Sequence, residues 1–326
     1  MSHQSGKRIG VTGGTGFLGR RFLQMAAARG HKLVCLRRSG NKTIADIENV
    51  EFMQGDITEP DSLKDFVRDV DLVVHLAAYV GYGSYADYHA VNVRGTQNVC
   101  EAILKYRPDC SLIYCSSVAV LRRYRIMPWF NTLYTKSKTL AEKKVRQYQA
   151  EQGLKVGYVY PGLIYGPLDD RFVPTLLKYI KRRALINISG GERWAPLVYV
   201  DDLCDLILHM VSHPQVTGRR YIGVGKQEVG IHEFFRMLAR RINAAEPALK
   251  LPKHLLMPLA LFFEWAYRLL GKKEMPLLSR RVVDLLSINV DPDMVRSFNQ
   301  QEWSGETSLD AGLNNTFQWL KDSGRL

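Results

Sequence analysis

The chain is short of cysteine, of acidic residues and of long apolar runs. Its five cysteines, Cys35, Cys100, Cys110, Cys115 and Cys204, are odd in number and form no CxxC pair. Four of them lie in or beside apolar runs, which predicts reduced thiols with neither a disulfide frame nor a zinc site. The opening stretch "MSHQSGKRIGVTGG" passes from polar residues into a strand pattern without the apolar core of a signal peptide, so a cytoplasmic protein is expected. In "LPKHLLMPLALFFEWAYRLLGKK" the uncharged part, Leu255 to Phe263, is too short to span a bilayer, and Glu264 and Arg268 interrupt the rest of the run. Two readings of that segment stay open. One is a helix in the core of a substrate lobe. The other is a peripheral membrane contact, pairing an apolar face with Lys272, Lys273, Arg280, Arg281 and the "KYIKRR" run at 178–183. With 45 Lys and Arg against 32 Asp and Glu, the formal charge is +13. The basic residues are spread along the chain and no nucleic-acid motif accompanies them, so anionic small molecules or membrane surfaces are the expected partners, not nucleic acid.

What is present is a periodic first half. At 326 residues and 46% hydrophobic, the chain can bury one large core with a smaller lobe attached. Short β-rich runs ("RIGVTG", "KLVCL", "VEFMQGD", "DLVVHLAA", "SLIYCSS", "KVGYVYP") alternate with helical segments near 17–29, 60–68 and 87–106 and with one carrying "YTKSK". That alternation predicts an α/β protein: βαβ units, a parallel sheet and helices on both faces. "PLVYVDDLCDLILHMV" reads as a strand then a helix, and "RRYIGVG" as a last strand of the sheet. The expected division is a nucleotide-binding domain over 1–167, to which 195–225 returns, and a smaller, mainly helical substrate lobe from 168–194 and 226–326.

"RIGVTGGTGFLGRRF" sets Gly13, Gly16 and Gly19 between a strand and a helix. Such a turn lets the backbone approach a pyrophosphate and presents a helix N-terminus to it; a tight turn without a ligand is the bland alternative. At the end of the second strand, where an acidic residue usually meets the ribose hydroxyls of NAD, "HKLVCLRRSG" has Arg37 and Arg38. Guanidinium groups suit a 2′-phosphate, so NADP(H) is expected over NAD(H). Asp56 in "GDIT" is placed to accept from the adenine amino group. Leu76, Ala77 and Ala78 end the next strand with side chains that admit the cofactor close to the backbone. His75 before them reads as a packed core residue. Asp201 and Asp202 read as caps of the following helix, not metal ligands.

"YTKSK" puts Tyr134 and Lys138 one helical turn apart, on the same face. That spacing is necessary for shared chemistry and not sufficient. Seventeen residues earlier, "SLIYCSSV" delivers Ser116 and Ser117 at the carboxyl end of a strand, the ligand-binding side of an open parallel sheet. Taken in order, "TGGTGFLG", "GDIT", "HLAA", "NVRGTQNV", "YCSS", "YTKSK", "PGLIYGP", "VYVDDL" and "SLDAGLNNTFQWL" resemble the extended short-chain dehydrogenase/reductase family over nearly the whole chain. The resemblance implies a Rossmann-type doubly wound sheet and a redox enzyme. It makes Tyr134 the general acid/base, Lys138 its helper and a cofactor ligand, and Ser117 the residue that polarises the substrate oxygen, with Ser116 as the second choice. It adds Thr15, Phe17, Leu18, Ile57, Pro161, Gly162 and Ile164 to the cofactor-binding set, gives Asn92 a supporting role, and by analogy leaves open a homodimer.

Within that family, nucleotide-sugar epimerases and dehydratases show an "RxxNxYGP"-like motif. Here "YPGLIYGP" has Tyr160 for the arginine and Leu163 for the asparagine, and Ala195 stands where a diphosphate-binding arginine is usual, with Arg193 two residues earlier. "PLVYVDDLCDLILHM" is instead similar to the same stretch of 3β-hydroxysteroid dehydrogenases and dihydroflavonol reductases. The expectation is therefore alcohol/ketone chemistry on a sterol-, lipid- or flavonoid-like substrate. A nucleotide-sugar enzyme and a non-catalytic NADP sensor or scaffold are the alternatives. The loop before Tyr134, with Arg122, Arg123, Arg125, Trp129 and Phe130, is expected to shape the substrate pocket.

Overall fold

The computed structural model describes residues 7–40, 47–81, 83–121, 131–188, 193–213, 215–271, 276, 278–300 and 302–326. In chain order its strands are β1 (Arg8–Thr12), β2 (Lys32–Arg37), β3 (Val50–Gln54), β4 (Leu72–His75), β5 (Ser111–Cys115), β6 (Val156–Pro161), β7 (Leu163–Tyr165), β8 (Asn187–Ile188), β9 (Leu197–Tyr199), β10 (Arg220–Gly223) and β11 (Lys250–Leu251). Its α-helices are α1 (Phe17–Ala28), α2 (Lys64–Arg68), α3 (Tyr85–Tyr88), α4 (Thr96–Tyr106), α5 (Val118–Leu121), α6 (Leu133–Gln152), α7 (Phe172–Lys181), α8 (Val200–Ser212), α9 (Ile231–Arg241), α10 (Lys253–Leu269), α11 (Arg280–Leu286), α12 (Pro292–Asn299) and α13 (Leu309–Asp322). A π-helical stretch, His89–Gly95, joins α3 to α4.

The chain forms two compact units. The first comprises 1–120, 133–161 and 200–223; the second comprises 121–132, 162–199 and 224–326. In the first, seven strands make one sheet in the order β10-β6-β5-β4-β1-β2-β3, and every neighbouring pair is parallel. The chain runs outward from β1 through β2 to β3, then returns to the other side of β1 with β4. That reversal is the switch point at which doubly wound sheets open a crevice, so the fold is Rossmann-type. Burial differs along the sheet. All residues of central β4 and of β6 are buried, whereas edge strand β3 has none fully buried, as expected when helices cover both faces of the middle of a parallel sheet. Arg21 holds α1 to α8 through a two-pronged ion pair with Asp201, Nε to Oδ1 at 2.5 Å and an Nη to Oδ2 at 2.7 Å. Asp201 and Asp202 thus lie in the first turn of α8, and Asp201 is committed to a long-range pair where the sequence suggested a local cap.

The second unit contains two short parallel pairs, β7 with β9 and β8 with β11, and a helical remainder. Its core includes Tyr165, Tyr199 and Phe234, and half-buried Phe172 stacks on Phe234 at 6.0 Å. Among the described residues no helix is long and apolar enough to cross a membrane.

Candidate active site

The carboxyl ends of β1, β4 and β5 meet because the sheet register puts them level: Thr12 pairs with His75, and His75 with Tyr114. Just past Thr12 the chain makes the glycine turn. Gly13 has φ +74°, and a Cβ there would fall 2.5 Å from the Ala77 nitrogen; a Cβ on Gly19 would fall 2.2 Å from the Gly13 carbonyl oxygen. Neither position tolerates a side chain. Gly14 is crowded by side chains instead, with Cys35 Sγ 2.4 Å and Leu23 Cδ1 2.9 Å from its would-be Cβ. Gly16, the N-cap of α1, has extended backbone and no side-chain cap, and the first turn of α1 has no acidic residue. An uncapped helix start beside a Cβ-free turn fits the pyrophosphate of a dinucleotide, through amide N–H groups and the positive end of the helix. Thr15, Phe17 and Leu18 lie in the same turn.

From the opposite side, Leu76, Ala77 and Ala78 come directly after β4. The Leu76 amide donates to the Thr12 carbonyl at 3.0 Å, and the Ala77 amide reaches Thr12 Oγ1 at 3.4 Å. Behind them His75, 1% exposed, lies between Thr12 Oγ1 at 2.7 Å from Nδ1 and Thr96 Oγ1 at 3.0 Å from Nε2. Thr96 donates its own proton to the Asn92 carbonyl at 2.7 Å. Its oxygen therefore accepts from Nε2–H, and Nδ1 accepts from Thr12. A neutral ring satisfies every bond. Burial, reinforced by the positive charge of Lys138, lowers the His75 pKa to about 3. His75 is a structural residue, as its place in an apolar run suggested.

Asn92 ties two site segments together. Its Oδ1 accepts from the Tyr79 amide at 2.6 Å, and its Nδ2 donates to the Tyr79 carbonyl at 3.1 Å and to Ser137 Oγ at 2.9 Å. Ser137 in turn donates to the Tyr134 carbonyl at 2.9 Å. The first turn of α6 is thereby fastened to the segment that leaves β4.

On α6, Tyr134, Lys138, Glu142 and Arg146 recur every four residues and share a face. Lys138, 2% exposed, donates from Nζ to the Cys115 carbonyl at 2.6 Å and sits 4.6 Å from the centroid of the Tyr114 ring. Burial depresses its pKa, while Cys115 and Glu142 act in the opposite direction. Glu142, 5% exposed, is a hub. It accepts from Ser116 Oγ at 2.5 Å, from the Tyr160 hydroxyl at 2.9 Å and from Arg146 at 2.8 and 3.0 Å. Arg146 also donates to the Tyr160 oxygen at 2.8 Å. The two serines are thus in different situations. Ser116 is held by a carboxylate beneath the sheet end, whereas Ser117 Oγ accepts from the Ala119 amide at 3.2 Å and keeps its proton for another acceptor. Tyr134 is half-buried at the start of the helix.

The remaining expected residues are distributed over both units. Arg37 ends β2 with its guanidinium 4.7 Å from the Phe52 ring centroid, and Arg38 is exposed beyond it. Asp56 Oδ1 accepts from both the amide and the hydroxyl of Thr58 at 2.9 Å. Ile57 is buried, and its carbonyl accepts from Asn98 at 2.8 Å. Pro161 ends β6. Gly162 and Ile164 belong to the second unit, where a Cβ on Gly162 would fall 1.8 Å from the Pro196 carbonyl oxygen. Arg122, Arg123, Arg125, Trp129 and Phe130 lie outside the described residues, as do Lys272 and Lys273. The sequence reading missed Glu142, Arg146 and Gly14. A Glu–Arg pair at i,i+4 looks like an ordinary surface pair, and the reason for Gly14, the Cys35 thiol, is contributed by another strand.

Residues 9–224 match the model of the NAD dependent epimerase/dehydratase family. The chain is 26% identical to a 2-alkyl-3-oxoalkanoate reductase of Shewanella oneidensis, over 93% of this chain and 84% of that protein. It is 25% identical to a 3beta-hydroxysteroid-dehydrogenase/decarboxylase (isoform 1) of Arabidopsis thaliana, over 82% of this chain and 66% of that one. The crystal structure of gox2253 superposes with a TM-score of 0.76 at 26% identity, covering 98% of this chain and 99% of that one. With the family match spanning the parallel sheet, the glycine turn and the Ser117, Tyr134 and Lys138 positions, the chain belongs to the NAD dependent epimerase/dehydratase family and is an enzyme of the extended short-chain dehydrogenase/reductase type.

Proposed function

We propose that the protein is an NADP(H)-dependent oxidoreductase that interconverts an alcohol and a ketone on a hydrophobic, lipid- or sterol-like substrate. The observation that carries this reading is the division of labour at the end of β5. Lys138 is fixed on the Cys115 carbonyl and Ser116 is tied to Glu142, so Ser117 is the hydroxyl of the pair placed to meet a substrate oxygen, and Tyr134 heads the helix face that carries Lys138. The nicotinamide of the cofactor, when bound, supplies or accepts the hydride. In the reductive direction Ser117 donates a hydrogen bond to the carbonyl oxygen, and Tyr134 delivers the proton that completes the alcohol. A free phenol has a pKa of about 10. An ammonium close to a phenol favours the phenolate, and that is the role this reading gives Lys138, one turn away on the same face. The glycine turn would hold the pyrophosphate, and Arg37 and Arg38 the 2′-phosphate.

Two kinds of observation support the substrate class. The similar bacterial protein is named for reduction of a 2-alkyl-3-oxoalkanoate and the plant protein for a 3β-hydroxysteroid. The positions that anchor a nucleotide-sugar in related epimerases are spent elsewhere: Tyr160 is fully buried with its hydroxyl on Glu142 and Arg146, and Leu163 and Ala195 are buried. The test is a cofactor-oxidation screen of the purified chain over 2-alkyl-3-oxoalkanoates, sterol ketones and UDP-sugars, with NADPH and NADH in parallel. Turnover of a lipid-like ketone with NADPH is expected. Conversion of a UDP-sugar alone would overturn the substrate assignment, and equal affinity for NADH would overturn the role of Arg37 and Arg38.

A further inference from the structure

Helix α10 turns its apolar side outward. Leu255, Leu259, Leu261, Phe262, Trp265 and Leu269 are all exposed, Phe262 by 57% and Trp265 by 58%. At helical spacing 255, 259, 262 and 269 form one stripe, with 261 and 265 beside it. The buried side is the poorer one, holding Leu256, Met257 and Ala260. The helix's single carboxylate, Glu264, also points inward, accepting from the Arg280 backbone amide at 2.8 Å and from its guanidinium Nε at 2.9 Å. A second pair, Lys253 with Asp284 at 3.0 Å, fastens the start of the same helix to α11. Two ion pairs to α11 thus fix which side looks out. The hydrophobic exposure is a property of the docked helix.

We propose that this face seats the protein on an anionic lipid bilayer, with α10 lying in the plane of the interface. The helix is 17 residues long, about 25 Å, and it is an amphipathic element with aromatic residues on the lipid side, the form taken by interfacial helices. Charge selects the occupant. From Lys250 to Glu274 the sequence has five cations, Lys250, Lys253, Arg268, Lys272 and Lys273, against Glu264 and Glu274; with the ion-paired Lys253 and Glu264 set aside, the count is four cations to one carboxylate. An anionic surface complements that excess, whereas a second copy of the chain would set two such excesses against each other. The inference is independent of the redox reading, because partition is measured without cofactor or substrate.

The experiment is flotation of the full chain with phosphatidylcholine vesicles, with and without phosphatidylglycerol, at low and high salt, for the wild type and for a Phe262→Glu, Trp265→Glu double variant. The wild type is expected to float with anionic vesicles and to lose roughly tenfold or more of that partition in the double variant, with circular dichroism unchanged. Failure of the wild type to float with anionic vesicles at low salt would overturn the proposal. So would flotation that the double variant retains. A dimer by light scattering that the double variant converts to monomer, with no flotation in either protein, would assign the face to a second copy and overturn it equally.

Discussion

Helix α6 carries Lys138 and Glu142 into the interior of the first unit, whereas α10 carries Phe262 and Trp265 to the outside of the second. The two helices depart from the usual amphipathic arrangement in opposite directions. Burying an ammonium and a carboxylate on one face of α6 costs desolvation that apolar residues would avoid. Each is therefore met by several partners: Lys138 by a carbonyl and an aromatic face, Glu142 by two hydroxyls and a guanidinium. Exposing large apolar side chains on α10 forfeits the stabilisation their burial would give. Neither arrangement serves stability best, and a departure from local rules that is held firmly in place marks a functional surface. The function proposed for α6 is chemical, with Tyr134 at the head of the ladder. The one proposed for α10 is contact.

The sharpest break in α6 is Tyr134→Phe. It removes the proposed proton donor and leaves the glycine turn untouched, so kcat should fall by roughly 10²–10⁴ while NADPH affinity, measured by fluorescence titration, stays within twofold or so. Full turnover by this variant would end the acid/base assignment. Glu142→Gln comes next. It weakens three contacts at once, but Arg146 is 42% exposed and can rehydrate. Urea unfolding should therefore show a loss of about 2 kcal/mol, below the cost of stripping a fully buried pair. Because Glu142 acts through Ser116, its effect on kcat should be smaller than that of Tyr134→Phe. Ser116→Ala should share most of the stability loss, whereas Ser117→Ala should spare stability and lower kcat.

The His75 network supplies a pH test of the same unit. The unfolded chain titrates His75 near its ordinary 6.5 and the folded chain at about 3, so between these values the unfolded state binds the extra proton. The stabilising contribution is complete above pH 6.5 and is lost as pH falls toward 3. From pH 7 to pH 5 the group should cost about 2 kcal/mol. His75→Gln, which cannot titrate, should flatten that part of the pH dependence of urea unfolding, even though it lowers stability overall. An unchanged slope would mean that His75 is not the group responsible.

Periodicity made the first unit legible. Apolar runs of strand length separated by helical stretches identify every strand of the sheet, and the order of motifs identifies the family. What it could not convey are partners far apart in sequence. Asp201 reads as a local cap because nothing near it names Arg21, 180 residues away. Glu142 reads as half of a surface pair because burial is set by Ser116, just past β5, and by Tyr160 on β6. Taken alone, "SS" is two equal hydroxyls, and only the family resemblance favours Ser117; in the structure they become unequal because Glu142 takes Ser116. In α10 the sequence left a core helix and a surface helix both open, since both have the same apolar letters. The ion pairs to α11 decide the orientation.

That orientation makes the smallest prediction the most discriminating one for α10. If Phe262 and Trp265 do no work in the fold, replacing both with serine should move the unfolding free energy by no more than about 0.5 kcal/mol, the range of ordinary surface changes. On the opposite side of the same helix, Leu256 is 2% exposed, and Leu256→Ala should cost about 2–4 kcal/mol through lost burial and the cavity it leaves. Urea titrations of the two variants measure both sides of one helix against each other. A costly serine pair would mean that Phe262 and Trp265 are covered within the protein in solution, and a costless Leu256→Ala would mean that α10 is turned the other way. Either result would remove the basis for an outward apolar face, whatever the vesicles report.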